Sequence, residues 1–168
     1  LNKEWEWGYR ENEELDGYDP YSNSKSCSEL VTHCYKNSFF NSDNTHVAIS
    51  TARAGNVIGG GDFAPDRIIP DCVRAAVEQK DIIVRNPHST RPYQHVLEPL
   101  SGYMLLATKM WEEPTKYCEG WNFGPHAESI TPVWEVANQV IENYGSGELH
   151  DLSDPNALHE AKLLMLDI

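Results

Sequence analysis

Gly17-Tyr18-Asp19-Pro20-Tyr21-Ser22-Asn23-Ser24-Lys25 is the stretch from which the rest of the chain can be read. Asp19 is a helix-capping residue type. Pro20 suits the first helical position, where its missing N–H leaves no bond unmade. A helix is therefore predicted from Pro20 to about Asn41, with Cys27, Leu30, Val31, Cys34 and Tyr35 recurring at helical spacing. Upstream, residues 1 to 17 are polar and aromatic and read as a loop. Downstream, His46 to Ala54 reads as a buried strand with β-branched Val47, Ile49 and Thr51. Gly55, Gly59, Gly60 and Gly61 then break the chain into a loop.

The alternation continues. Helices are predicted at Asp66 to Gln79, Pro99 to Trp111 and Thr131 to Asn143. Short strands are predicted at Ile82 to Arg85, Tyr93 to Val96 and Glu119 to Phe123. A strand-like piece follows Gly145-Ser146-Gly147, and Leu163 to Leu166 reads as another. Strands alternating with helices place the chain in the α/β class. It opens on Leu1 and closes on the apolar run Leu163-Leu164-Met165-Leu166-Asp167-Ile168, which reads as a segment continuing into something that buries it.

Composition narrows the partners. The 168 residues carry a formal net charge of -13, which argues against nucleic acid or an anionic membrane surface. A few well-placed arginines can still dominate a local pocket. Apolar runs fall short of a membrane span, and no signal-peptide pattern opens the chain. Cys27, Cys34, Cys72 and Cys118 form no C-x-x-C pair and no zinc-finger spacing, so no metal site is expected. They read as reduced thiols, mostly buried or half-buried, as in a cytoplasmic protein. Trp5, Trp7, Trp111, Trp121 and Trp134 read as packing residues.

Chemistry concentrates at Tyr21 and Lys25. Four residues apart on a helix, phenol and ammonium share one face. A nearby cation favours the phenolate, bringing a tyrosine that ordinarily titrates near 10 towards use as a proton acceptor for a sugar hydroxyl. The same pair also reads as an ordinary contact on a wet helix face. Arg67, Arg85 and Arg91 can offer planar forks to an anionic ligand, or can be surface ion pairs. The run Gly59-Gly60-Gly61 lacks the order of a P-loop and reads as backbone permissiveness near a ligand. His95 reads as a scaffold residue.

These motifs together resemble the extended short-chain dehydrogenase/reductase family that acts on nucleotide sugars. Residues 17 to 25 resemble its active-site helix opening. Arg53-Ala54-Gly55-Asn56-Val57-Ile58-Gly59-Gly60-Gly61-Asp62 resembles its R-x-x-N-V-x-G-x-G-D loop. Asp66-Arg67-Ile68-Ile69-Pro70-Asp71, Ser89-Thr90-Arg91-Pro92-Tyr93-Gln94-His95-Val96 and Trp121-Asn122-Phe123-Gly124-Pro125 agree, so the resemblance covers essentially the whole chain. Within that family, residues 2 to 10, Glu98 in Arg91 to Leu100, and His159-Glu160-Ala161 resemble a subgroup of hexose 4,6-dehydratases.

The resemblance implies the C-terminal part of a Rossmann-like, doubly wound parallel sheet within residues 1–62. It implies most of a smaller α/β substrate-binding domain within residues 63–168, with some segments returning to the sheet. It implies NAD as cofactor, with Tyr21 and Lys25 catalytic and Lys25 holding the nicotinamide ribose. Asn56, Arg67 and Arg91 are implied as contacts to a nucleotide-sugar substrate. A homodimer through the helices starting near Pro20 and Pro99 is implied as well. The Gly-rich dinucleotide turn, the serine or threonine of the triad and the acidic elimination segment are not among these residues. In the family they precede Leu1. Two rival readings stay open: an epimerase or reductase of the same fold, and a non-catalytic binding or dimerisation module.

Overall fold

The computed structural model describes residues 3, 5, 7–40, 47–154 and 163–168. Asn41 and His46, where a helix was expected to end and a strand to begin, lie outside the described residues, as do His159, Glu160 and Ala161. Five α-helices and eight short strands alternate along the described residues: α1 Pro20–Tyr35, β1 Thr51–Ala54, β2 Asn56–Ile58, α2 Ile68–Val77, β3 Ile82–Val84, β4 Thr90–Arg91, β5 Tyr93–His95, α3 Leu97–Glu112, α4 Pro114–Tyr117, β6 Gly120–Phe123, β7 Thr131–Pro132, α5 Val133–Tyr144 and β8 Leu149–Asp151.

The strands form four separate pairs. β1 runs parallel to β6, β2 to β5 and β3 to β8, while β4 lies antiparallel to β7. The strand expected from His46 is shorter than its apolar pattern suggested. Ladder pairing begins only at Thr51, opposite Gly120, because β6 itself begins there. Thr131 and Pro132, expected in a helix, instead pair with Arg91 and Thr90. The helix starts at Val133, and Gly145 closes it in the left-handed region at φ 87°.

The core sits between α2, α5, β3 and β8. Cys72, Ile82, Val84 and Ala137 are buried there, with Ile68, Val133, Val140 and Leu149 packed round them. Burial and the neighbouring Asp71 push the Cys72 thiol up to about 11. All four cysteines are free thiols, but Cys27 and Cys34 are exposed rather than buried. Both lie on α1, which buries no residue. Trp7 and Trp111 are likewise exposed, at 66% and 90%, so neither is buried among the described residues.

A second cluster joins the two ends of the chain at β6. Tyr9 N donates to the Met165 carbonyl at 2.9 Å and Asp167 N to the Tyr9 carbonyl at 3.1 Å. The buried Asn122 side chain donates to the carbonyls of Tyr9 and Asp167, at 2.8 and 3.0 Å. Phe123 meets Tyr103 edge-on, centroids 5.0 Å apart. Gly102 permits this approach, since a Cβ there would stand 2.4 Å from the Phe123 ring. No helix among the described residues is long and apolar enough to cross a membrane.

Candidate functional site

α1 begins as its sequence requires. Asp19 Oδ1 accepts from Tyr21 N at 2.9 Å and Ser22 N at 3.0 Å, with Pro20 in the first turn. The Ser22 hydroxyl and amide together hold the Asp19 carboxyl below its usual range. Gly17 lies so close to this turn that a Cβ would strike the backbone of Asn23 at 2.1 Å. The cap therefore fixes Tyr21 at the start of the helix, and Lys25 follows one turn later. Lys25 Nζ stands 5.5 Å from the Tyr21 ring centroid. Tyr21 is 72% exposed, so its phenol opens towards solvent and not into a packed interior.

The other expected site residues gather round one large cleft of about 1330 Å³. Tyr21, Asn56, Arg67, Arg85 and Arg91 all line it, whereas Lys25 does not. Asn56 opens β2, opposite Tyr93 of β5. Gly55 before it allows the chain to pass Pro92, whose ring and carbonyl would lie 2.9 Å from a Cβ. Gly61, at φ 85°, turns the loop over the cleft, and nothing lies near its missing side chain.

The three arginines are held differently. Arg85 Nη2 pairs with Asp66 Oδ1 at 2.8 Å, and Arg67 Nε stands 3.9 Å from Asp62 Oδ2; all four side chains are well exposed. Such exposed pairs are worth little and release their cations readily to a stronger anion. Arg91 is half-buried on β4, and its Nη1 donates to the Thr90 carbonyl at 2.9 Å. His95 Nδ1 accepts from Leu97 N at 3.3 Å at the head of α3, a scaffold contact as its motif suggested. Gln94, buried beside it, donates to the Phe123 carbonyl at 3.0 Å and ties β5 to β6.

One cluster was missed from sequence. Glu29 on α1 takes Arg53 Nε on Oε1 at 2.7 Å and the Thr51 hydroxyl on Oε2 at 2.8 Å. The Arg53 hydrogen bond, then Thr51, draws the Glu29 carboxyl below its usual range. The sequence offered only that Glu29 falls one helical turn beyond Lys25 on the same face; its partner Arg53 lies 24 residues further along the chain.

No protein-family model matches the chain. Among curated proteins, it is 50% identical over 169 residues to the CDP-glucose 4,6-dehydratase of Salmonella typhimurium strain LT2, across 99% of this chain. The chain is similar to that dehydratase along nearly its whole length. It spans about half of the relative's length, 47%. Among solved structures, the dTDP-glucose 4,6-dehydratase of Bacillus anthracis in complex with NAD matches with a TM-score of 0.75 and 19% identity, over 96% of this chain and 47% of that one. A UDP-glucuronic acid 4-epimerase variant from Bacillus cereus matches with a TM-score of 0.79 and 18% identity, over 99% and 49%. The fold is the Rossmann-like α/β arrangement of such enzymes, as their shared motifs implied.

Proposed function

We propose that this chain is the Tyr–Lys part of an NAD-dependent hydro-lyase, converting CDP-glucose to its 4-keto-6-deoxy product. The observation that carries the reading is the single cleft lined by Tyr21, Asn56, Arg67 and Arg91. The 50% identity to the Salmonella enzyme supports the choice of substrate. On this reading residues 1–62 belong to the sheet-and-helix half and residues 63–168 mainly to the substrate half. Pairing of β1 with β6 supports the return of one late segment to the first half.

Tyr21 and Lys25 fit one part of NAD. Their side chains are exposed on one helix face, free of a covering wall, and can hold a ribose and the reacting end beside it. No Gly-x-x-Gly-x-x-Gly turn occurs in the 168 residues to hold a pyrophosphate, so the remainder of that site is assigned to other segments. When bound, NAD supplies the acceptor and donor of hydride. The Tyr21 phenolic oxygen takes the proton of the C4 hydroxyl as C4 is oxidised. Lys25 stands one turn further on, its Nζ 5.5 Å from the Tyr21 ring centroid, where it can hold the ribose hydroxyls beside the reacting end. Arg91, with Arg67, takes the diphosphate oxygens, and Asn56 orients the sugar end from β2. The new C4 ketone acidifies the neighbouring proton, so water can leave across C5 and C6. Groups for that step are assigned outside this chain, by the resemblance.

We also propose that the enzyme is a cytoplasmic homodimer that associates through α1 and α3. Leu30, Val31 and Tyr35 on α1 and Leu97, Met104 and Leu105 on α3 are all more than half exposed, which supports burial against a second copy.

Product analysis of the full-length protein with CDP-glucose and NAD tests the reading. Loss of one water with a carbonyl at C4 is the expected result. An isomer of unchanged mass makes the chain part of an epimerase, and no turnover on any nucleotide hexose leaves it a binding module.

A further inference from the structure

Within the described residues, α1 has no apolar anchor, since none of its side chains is buried. Its firmest tie to the strands is polar. Tyr21, Lys25 and Glu29 follow one another at four-residue steps and so share a face of α1. The Glu29 carboxylate is gripped at both oxygens, by Arg53 Nε at 2.7 Å and by the Thr51 hydroxyl at 2.8 Å. Both donors lie on β1 and both point to the same side of it, being two residues apart. A carboxylate held at two points from one strand cannot swing about either bond alone.

The tie extends beyond the pair. Arg53 Nη1 donates to the Glu11 carbonyl at 3.0 Å, and the Glu11 carboxylate accepts from Asn122 N at 2.9 Å. The Arg53 guanidinium lies over Gly120 of β6, where a Cβ would reach within 3.5 Å of Nη2. The Arg53 and Glu29 side chains keep only 25% and 19% of their exposure, so solvent screens them far less than the arginine pairs of the cleft. Three residues past Arg53 the chain delivers Asn56 to the cleft wall.

We infer that Arg53 and Glu29 are positioning residues, which fix the separation between the Tyr21–Lys25 pair on α1 and the Asn56 wall of the cleft. The inference rests on the assignment of Tyr21 as acid/base. Reaction rates fall steeply when reacting groups are displaced by about 1 Å, by as much as roughly 10²-fold. Substrate binding is less sensitive, because the arginines that hold the diphosphate sit on other segments.

The test uses the full-length enzyme with NAD and CDP-glucose, and Tyr21→Phe as the reference variant. Arg53→Met keeps the side-chain length and removes the fork. Its kcat is expected to fall by about tenfold or more, with KM for CDP-glucose within about threefold of the parent. Arg53→Lys restores one contact to Glu29 without the reach to Glu11, and should recover part of kcat. Should Arg53→Met not fold, Glu29→Gln carries the same test, since it keeps shape and one acceptor. Parental kcat in both Arg53→Met and Glu29→Gln overturns the inference. So does a fall in which KM and melting temperature move with kcat and Arg53→Lys gives no recovery, the mark of a merely structural pair. Parental activity in Tyr21→Phe removes the acid/base assignment and this inference with it, a failure distinct from the other two.

Discussion

α2 and α5 close over β3 and β8 with Cys72, Ala76, Val136 and Ala137 buried between them. α1 is longer than either, at 16 residues, and buries none. The first region is held by apolar area removed from water, the second by a cap at Asp19 and a two-point carboxylate at Glu29. Burial holds a fold together without much regard for a fraction of an ångström. Directed hydrogen bonds contribute less free energy but specify an angle. The helix that carries Tyr21 is the one held by direction, which suits the acid/base role proposed for it, where placement matters more than stability.

The comparison can be broken most sharply at Tyr21. Tyr21→Phe in the full-length enzyme removes one exposed hydroxyl. Steady-state assays should show a loss of about 10²–10⁴-fold in kcat. The melting temperature should not change. In the packed region the outcome reverses. Ile82→Ala empties a buried position between the helices and should cost about 2–5 kcal/mol in denaturant unfolding. Leu30→Ala, on an α1 residue 53% exposed, should cost under about 0.5 kcal/mol in a monomeric sample. An equal cost at both positions would erase the distinction drawn here.

Arg91→Ala comes next in size. Loss of charge-assisted bonds worth about 1.5–3 kcal/mol should weaken nucleotide-sugar binding by about tenfold or more. Titration of NAD should show a much smaller change. Equal weakening of both ligands would make Arg91 structural.

The smallest effects are in pH. The Cys72 thiol is raised, so the folded state retains a proton that the unfolded chain gives up first. Its contribution is complete below the ordinary thiol range, near 9, and is lost as pH rises towards about 11. Glu29 is lowered, so its contribution is complete above the ordinary carboxyl range and is lost as pH falls through the folded value. Cys72→Ala should flatten the alkaline limb of stability, and Glu29→Gln the acid limb. Unfolding curves in which either variant changes the opposite limb would contradict these assignments.

Much of this was legible in sequence, and the reasons are local. Asp19-Pro20 announces a helix start because a cap and a proline each solve a problem of unpaired N–H groups. The alternation of elements needs only periodicity. The convergence of Asn56, Arg67 and Arg91 came from motifs, since their spacing alone places nothing in a common cleft. What escaped depended on partners distant in the chain. The length of β1 is decided by where β6 begins, and Thr131-Pro132 became a strand because Thr90-Arg91 was there to pair with it. Glu29 was hidden for the same reason: an acid on a polar helix face looks solvated until Arg53 is brought opposite it. The exposure of Cys27, Cys34 and Trp111 was not visible either, as apolar spacing marks a face without saying what covers it.

The parallel pairing of β1 with β6 also sets an order of events during synthesis. Ser50 donates to the Glu119 carbonyl, 69 residues further on, and Thr51 enters the ladder opposite Gly120. At roughly 5–20 residues per second on a ribosome, β1 waits on the order of several seconds for its partner strand to emerge. Through that interval β1 lacks the strand that completes its ladder. Until β6 emerges, the nascent chain carries Tyr21 on a helix still open to chaperones and to stray strands.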